Sequence, residues 1–288
     1  MSITVLFRII SRLPFFMLNP ASKVLAFVLQ HIIRYRKQVI TENLTKSFPD
    51  KDARWIRDIR SEFYGYLADQ VFETIKLSTL SNDQLRDRIR FENPELLSQY
   101  NDSNRSVIIM MGHSGNWEWA GALTALSFNF KMLPIYRKIK NRSFNNFYLY
   151  IRSRFGAVPT LDKEAPSILS REGAPFAAAM LADQTPSAKR AWWISFLSQS
   201  TPFFRGSEVM ARRLSHCDVV YAHIRRAERG RYSIILEAPP TDWRATQFAL
   251  TLGFAEFLQT EITRDPANWL WSHNRWKHTP TKSSLIVC

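Results

Sequence analysis

The sequence predicts an α/β protein with a mixed, largely parallel central sheet flanked by helices, preceded by an N-terminal helical segment that associates with a membrane. After residue 105, short apolar runs alternate with longer amphipathic stretches, which is typical of α/β domains. The first 40 residues instead combine aromatic and aliphatic side chains with six basic residues and no acid. With 45% hydrophobic residues, the 288-residue chain can bury a large core, so a disordered protein is excluded.

The individual elements follow from this alternation. Apolar runs of strand length lie at residues 106–111, 132–136, 176–182, 219–224 and 232–236. Stretches with helical periodicity lie at residues 117–126, 141–154, 165–172, 207–214 and 245–263. Residues 50–76 carry apolar side chains at three- and four-residue spacing, which predicts a long amphipathic helix with Asp50 as its cap.

We divide the chain into a membrane-associating segment (1–40), a catalytic α/β domain (41–280) and a short tail (281–288). A bilayer span needs about 20 mostly apolar residues, but the best window, 13–33, contains two prolines, an asparagine and a lysine. We therefore expect the segment to lie in the membrane surface rather than to cross it. The alternative is a surface helix that packs on the domain.

The formal net charge of +14 requires a negatively charged partner. Because basic and aromatic residues interleave near the N-terminus, an anionic membrane surface is favoured over nucleic acid. The two cysteines, Cys217 and Cys288, form no disulfide framework and favour a reducing compartment. No phosphate-binding loop, dinucleotide-binding turn, serine nucleophile elbow or zinc motif occurs, so we predict no cofactor and no metal.

Polar residues follow three of the predicted strands. The turn Gly112-His113-Ser114-Gly115-Asn116 follows the first strand, Arg137 the second, and Asp183 the third. Ligand sites in α/β sheets form at the carboxyl ends of strands. These residues, together with Glu118, are therefore expected to converge on one pocket.

His113 and Glu118 stand five positions apart, across the predicted turn into a helix. If the chain doubles back there, the carboxylate can orient the imidazole, whose other nitrogen then takes a proton from a hydroxyl group. This pair suits acyl transfer without a protein nucleophile. The alternative is a turn histidine followed by a glutamate that interacts with the helix dipole.

The motif from Gly112 to Glu118 resembles the H-x4-[D/E] signature of the bacterial lipid A biosynthesis acyltransferase family, within the lysophospholipid acyltransferase superfamily. Further motifs stand in the order and approximate spacing of that family: Asn43-Leu44 with Ser47-Phe48-Pro49, Tyr136-Arg137 with Lys140-Asn141, Arg154 with Gly156, Asp183-Gln184, and Pro266 with Trp269, Trp271-Ser272-His273 and Arg275-Trp276-Lys277. The resemblance covers residues 43–277.

The resemblance implies a peripheral or N-terminally anchored enzyme on the cytoplasmic face of the bacterial inner membrane. It would move a fatty acyl chain from acyl carrier protein, or from acyl-CoA, onto a glycolipid hydroxyl, with lipid A precursors as the favoured acceptor. Carried over to this chain, His113 is the general base and Glu118 its orienting acid. The resemblance marks four positions as substrate-binding: Arg137, Asp183, Asn116 and Arg154. On physical grounds, Arg137 is a candidate to hold a phosphate or the developing oxyanion, and Asp183 to hold Arg137.

Two alternative functions remain open. The enzyme could act on a different glycolipid, an aminolipid or a lysophospholipid, or the chain could be a basic membrane-binding protein without catalysis. The aromatic stretch 191–204 likewise has two interpretations, an acyl-chain groove or membrane-dipping hairpin on the one hand and ordinary core on the other.

Overall fold

The computed structural model describes residues 3–187, 191–280 and 286–287. Its centre is a seven-stranded sheet with strand order β1-β9-β8-β2-β5-β3-β4 and helices packed against it, which confirms the predicted α/β class. Cys288 and most of the predicted tail lie outside the described residues. The division at residues 40 and 280 stays a prediction.

The helices and strands have the following bounds. The helices are α1 (Ile3–Arg12), α2 (Phe15–Phe27), a π-helical turn (Val28–Ile32), α3 (Lys37–Ser47), α4 (Ala53–Lys76), α5 (Asn82–Arg88), α6 (Glu95–Asp102), α7 (Trp117–Ser127), α8 (Arg142–Ser153), α9 (Ala165–Arg171), α10 (Gly206–Arg213), α11 (Ala249–Arg264) and a 3₁₀ turn (Pro266–Asn268). The strands are β1 (Ile89–Phe91), β2 (Ser106–Met111), β3 (Lys131–Tyr136), β4 (Thr160–Leu161), β5 (Phe176–Leu181), β6 (Ala191–Phe196), β7 (Gln199–Phe204), β8 (Cys217–Glu228), β9 (Arg231–Glu237) and β10 (Ile286–Val287).

The register of the large sheet sets the position of the site. Its strand pairs are parallel except for β8 and β9, which form an antiparallel hairpin. Met111 at the end of β2 pairs with Leu181 at the end of β5. The residues two positions beyond them, His113 and Asp183, therefore leave the sheet side by side at the same edge.

Strands β6 and β7 form an antiparallel hairpin, with β10 beside β6, in a second, smaller sheet. The hairpin corresponds to the aromatic stretch 191–204, which the sequence left as either an acyl-chain groove or membrane-dipping hairpin, or ordinary core. Trp193, Phe196 and Phe203 are at most 1% exposed, so the structure favours the core interpretation over a membrane-dipping hairpin for most of it.

The long helix predicted at residues 50–76 is α4, and it begins three residues later than expected. Its cap is Asp52, whose carboxylate accepts a hydrogen bond from the Trp55 backbone N–H at 2.7 Å, and the predicted cap Asp50 is wrong. Asp52 directly precedes the first helical residue and has extended backbone geometry, which is the position that a capping side chain needs.

The N-terminal segment forms two helices that lie against α4. Lys76 donates from Nζ to the carbonyl oxygens of Ser11 and Leu13, both at 2.8 Å, and Ser22 donates to Asp69 at 2.5 Å. The stretch Phe15–Ile32 is long and apolar enough to cross a membrane by length and composition, with a mean hydropathy of 1.2 and 11% of it buried. Its outward face exposes large apolar side chains, and these include Phe16, Met17, Val24, Phe27 and Ile32.

Candidate active site

At one position of the turn between β2 and α7, only glycine fits the backbone conformation and the space. Gly115 has φ +56°, and an added Cβ would lie 2.3 Å from the carbonyl oxygen of Ile224. Asn116 then caps α7, because its Oδ1 accepts a hydrogen bond from the Trp119 backbone N–H at 3.1 Å. The turn residue His113 thus projects from a fixed backbone at the end of β2.

Helix α4 supports this turn from one side. Tyr66 and Gln70 donate to the carbonyl oxygen of Gly115 at 2.8 and 2.7 Å, and Glu73 accepts from the side-chain amide of Asn116 at 2.8 Å. Burial raises the pKa of Glu73, although its hydrogen bonds from Tyr232 and Asn116 oppose that shift. These three residues were not predicted from the sequence. Their polar side chains recur at i, i+4 and i+7 on the buried face of one helix, and this pattern could have indicated that they bind a buried polar group.

The 3₁₀ turn after α11 supports the same backbone from the other side. Gly115 donates its backbone N–H to the carbonyl oxygen of Asn268, and Leu270 donates to the carbonyl oxygen of His113, both at 3.1 Å. Ser114 and Trp269 form an antiparallel bridge. The Pro266 to Trp271 motif therefore holds the His113 turn in place.

His113 pairs with Asp183. The imidazole Nδ1 lies 2.6 Å from Asp183 Oδ1, while Asp183 Oδ2 accepts from the His113 backbone N–H at 2.7 Å and from Trp269 Nε1 at 2.8 Å. Burial on its own would raise the pKa of this carboxyl, but the charge of His113 and these hydrogen bonds lower it to about 2. Asp183 is therefore an ionised carboxylate against Nδ1, which fixes the imidazole tautomer with the proton on Nδ1.

The other imidazole nitrogen of His113 faces Gln184. Gln184 Nε2 lies 3.1 Å from His113 Nε2, and an amide nitrogen can only donate, so His113 Nε2 is the acceptor. The Trp117 ring packs against the imidazole in a T-shaped contact, with the ring centroids 5.1 Å apart. The His113 side chain is 12% exposed, so the imidazole lies at the margin of the protein interior.

Glu118 does not contact His113 as predicted. Its carboxylate is bound by Arg152 from α8 through Nε at 2.8 Å and Nη2 at 2.5 Å, a bidentate pair, and is 4% exposed. The predicted His113–Glu118 hydrogen bond is wrong because Glu118 lies in the first turn of α7, where its side chain turns towards α8. The strand register instead brings Asp183 to the imidazole.

A cavity of about 40 Å³ lies beside the Glu118–Arg152 pair. Glu118, Arg152 and Trp117 form its polar and aromatic side. Apolar residues from β2, β3, β5 and α7 form the rest of its wall: Met111, Met132, Pro134, Ile135, Ala179, Leu181, Ala122 and Gly121. A mostly apolar pocket with a charged pair suits a hydrocarbon chain with a polar reacting end.

The other predicted site residues lie elsewhere. Arg137 is exposed and pairs with Asp162 at 3.0 Å, so the prediction that Asp183 holds Arg137 is wrong. Asn116 is fully buried, and its amide groups bind Trp119 and Glu73, which leaves no polar group for a substrate.

Arg154 is also taken up by structural contacts. It donates to the carbonyl oxygens of Leu77 and Leu80 at 2.5 and 3.0 Å and thereby closes the carboxyl end of α4. Arg137, Asn116 and Arg154 are all absent from the described wall of the cavity.

His273 binds the residue after Gln184. Its Nε2 accepts from the Thr185 backbone N–H at 3.2 Å, and Thr185 Oγ1 donates to the carbonyl oxygen of Arg275 at 2.7 Å. Burial, with a smaller contribution from Arg275, lowers the pKa of His273 to about 4, so the imidazole is neutral at pH 7. Within the described ranges, no three His, Cys, Asp or Glu residues cluster as metal ligands would.

Comparison with curated proteins gives no match. Comparison with protein families gives a match to the model described as bacterial lipid A biosynthesis acyltransferase, over residues 2–278 of the 288 in the chain. The match includes the His113 turn, the Glu118–Arg152 pair and the Pro266 to Trp271 motif. The chain therefore belongs to the bacterial lipid A biosynthesis acyltransferase family, whose members are membrane-associated acyltransferases.

Proposed function

We propose that this enzyme transfers a fatty acyl chain from a thioester to a hydroxyl group of a glycolipid, with lipid A precursors as the favoured acceptor. The observation that carries the proposal is the pairing of His113 Nδ1 with the ionised Asp183 carboxylate at 2.6 Å. This leaves the lone pair on Nε2, at the margin of the interior, to accept a proton.

The acceptor hydroxyl donates to His113 Nε2 and loses its proton as its oxygen attacks the thioester carbonyl carbon. Asp183 stabilises the imidazolium that forms, in the manner of the buried acid of a catalytic triad. The tetrahedral intermediate then collapses, the C–S bond breaks, and the thiolate takes the proton from His113. No protein nucleophile is needed, because the acceptor itself attacks.

The Glu118–Arg152 pair lies on the wall of the cavity and has a role in this mechanism other than proton transfer. The guanidinium uses Nε and Nη2 for Glu118, and Nη1 makes no hydrogen bond to the part of the chain that the structure describes. We propose that Nη1 donates to the oxyanion that develops on the thioester carbonyl, while Glu118 holds the guanidinium plane. The apolar remainder of the cavity contacts the first carbons of the acyl chain, next to the thioester carbonyl.

Charge supports acyl carrier protein over coenzyme A as the donor. Four exposed cations follow the cavity-lining residues of β3: Arg137, Lys138 and Lys140 on the loop after the strand, and Arg142 at the start of α8. Four cations in six residues beside the cavity favour an acidic protein surface, which binds several of them at once.

The N-terminal helices supply the membrane contact in this proposal. The exposed apolar face of these helices and the six basic residues among the first 40 suit an anionic membrane surface. In this proposal that surface is the cytoplasmic face of the inner membrane, where donor and glycolipid meet. The contacts of Lys76 and Ser22 tie the two helices along the domain, which supports a segment that lies in the surface.

Incubation of the purified protein with acyl-carrier thioester and a lipid A precursor in mixed vesicles tests the proposal. Mass spectrometry of the lipids should show an added acyl chain with wild-type protein and none above background with His113→Ala. A parallel incubation with acyl-CoA compares the two donors. Lack of any acylated glycolipid with the folded wild-type protein, from either donor, would contradict the proposal.

A further inference from the structure

The lone pair of the proposed general base is occupied in the structure. Because Asp183 holds the proton on His113 Nδ1, the acceptor nitrogen is Nε2, and Gln184 Nε2 lies 3.1 Å from it. One lone pair accepts one good hydrogen bond, so an acceptor hydroxyl and the Gln184 amide cannot both be bound to it.

The backbone beside Gln184 is fixed, whereas its side chain is only half-buried. The next residue, Thr185, donates its backbone N–H to His273 Nε2 at 3.2 Å and its hydroxyl to the Arg275 carbonyl oxygen at 2.7 Å. Displacement of the amide from His113 therefore requires only a rotation of the Gln184 side chain about its own bonds.

An unoccupied Nε2 would create a side reaction. A water molecule there would give its proton to His113 while its oxygen attacked the thioester carbonyl carbon. The C–S bond would then break and the thiolate would take the proton from His113, which leaves a free fatty acid and the free thiol carrier. Nothing in the His113–Asp183 geometry distinguishes this water from an alcohol.

We propose that Gln184 is a positioning residue that occupies the hydroxyl site on His113 Nε2 in the free enzyme and yields to the acceptor alcohol, so that transfer is favoured over hydrolysis. An acceptor lipid binds through many groups remote from its hydroxyl, and that binding energy offsets the loss of the Gln184 hydrogen bond. A water molecule has no such remote groups. This inference rests on the proposed transfer reaction.

The test measures free fatty acid and acylated lipid from the same acyl-carrier thioester, with and without a lipid A precursor in vesicles. Gln184→Met keeps the side-chain length but removes the donor, and Gln184→Asn keeps the amide but is one methylene shorter. Both variants should raise the ratio of hydrolysis to transfer about 2- to 10-fold, the range that one neutral hydrogen bond is worth. Hydrolysis without acceptor should rise by a similar factor.

Two controls separate this role from a structural one. Gln99→Met changes an exposed glutamine on α6 and should leave the ratio at the wild-type value. His113→Ala added to Gln184→Met should abolish the extra hydrolysis, because the same base activates the water.

Three outcomes would overturn the inference: an unchanged ratio in both folded Gln184 variants, extra hydrolysis that survives loss of His113, or the same rise in Gln99→Met. By contrast, a folded wild-type protein that makes neither product would contradict the proposed function itself.

Discussion

His113 Nδ1 and Asp183 Oδ1 lie 2.6 Å apart, although 70 residues separate them in the chain. The contact follows from the parallel pairing of β2 with β5, in which Met111 and Leu181 are register partners. Trp269 and the His113 backbone N–H bind the second carboxylate oxygen, so the acid is held from three directions. Asp183, rather than Glu118, is thus the residue that orients the imidazole.

The Glu118–Arg152 pair should behave as a buried ion pair that is separate from His113. Glu118→Ala leaves a guanidinium that is 17% exposed without its carboxylate, and we expect unfolding free energy to fall by roughly 3–5 kcal/mol. Denaturant titration measures this loss. Arg152→Lys should retain less than half of the wild-type activity because an ammonium cannot form the bidentate contact.

The same pair provides a coupling test. Activity losses in Glu118→Gln and His113→Ala should multiply in the double variant, since the two side chains do not touch. A double variant no worse than His113→Ala, assayed above the detection limit, would show that Glu118 acts through His113 after all.

Gly115 in the His113 turn should be harder to replace than Gly156, which follows α8. Gly115→Ala combines positive φ with a Cβ 2.3 Å from the Ile224 carbonyl oxygen, whereas Gly156 has φ +93° and nothing within 4 Å of an added Cβ. Gly156→Ala should cost only the backbone strain, about 1–2 kcal/mol, and Gly115→Ala roughly 1–3 kcal/mol more. Thermal unfolding of both variants checks the difference, and equal losses would contradict the packing of the turn against β8.

The pH dependence of stability should include a buried histidine outside the active site. Burial, with a smaller contribution from Arg225, lowers the pKa of His223 to about 3, while its pKa in the unfolded chain is near 6.5. The unfolded state therefore binds more protons between these values, and stability is lost as the pH falls from about 6.5 towards 3.

For His223 alone the slope is about 1.4 kcal/mol per pH unit. The Glu261 carboxylate lies close by, with Oε2 3.9 Å from His223 Nε2. Denaturant titration of wild type and His223→Phe at pH 7 and pH 4.5 measures the slope, which should be smaller in the variant. Equal slopes in the two proteins would contradict the prediction, because His223 would then bind the same number of protons in the folded and the unfolded state.

Membrane binding should depend on the exposed apolar face of α2. Phe16 is 76% exposed and Val24 64% exposed, so Phe16→Glu and Val24→Glu should leave the fold intact and weaken binding to anionic vesicles at least tenfold each. Val158→Glu, at a valine that is 47% exposed outside the N-terminal segment, is the matched control. Cosedimentation with vesicles measures the effect. Unchanged binding in both α2 variants would place the membrane contact elsewhere.

The alternation of strands and helices was enough to predict the fold class and the edge of the sheet at which His113 and Asp183 meet. The two side-chain pairs, His113 with Asp183 and Glu118 with Arg152, were not predictable from spacing. Glu118 follows His113 closely in the chain, but the direction of its side chain depends on how α8 packs, and Arg152 lies within a helix without any motif of its own. Strands β6 and β7 were missed because neither shows the alternation that marks a half-buried strand. Strand β6 is largely apolar on both faces, whereas β7 begins with three polar residues and contains Pro202.

The most direct test of the mechanism is the steady-state turnover of acyl transfer by His113→Ala, Asp183→Asn and the double variant, each shown to be folded. The account predicts that each single substitution lowers turnover by roughly 10²- to 10⁴-fold, and that the double variant is little worse than the more impaired single one, because the two residues act as a unit. Multiplied losses in the double variant would contradict the pairing of His113 with Asp183. Full transferase activity in folded His113→Ala would contradict the mechanism altogether.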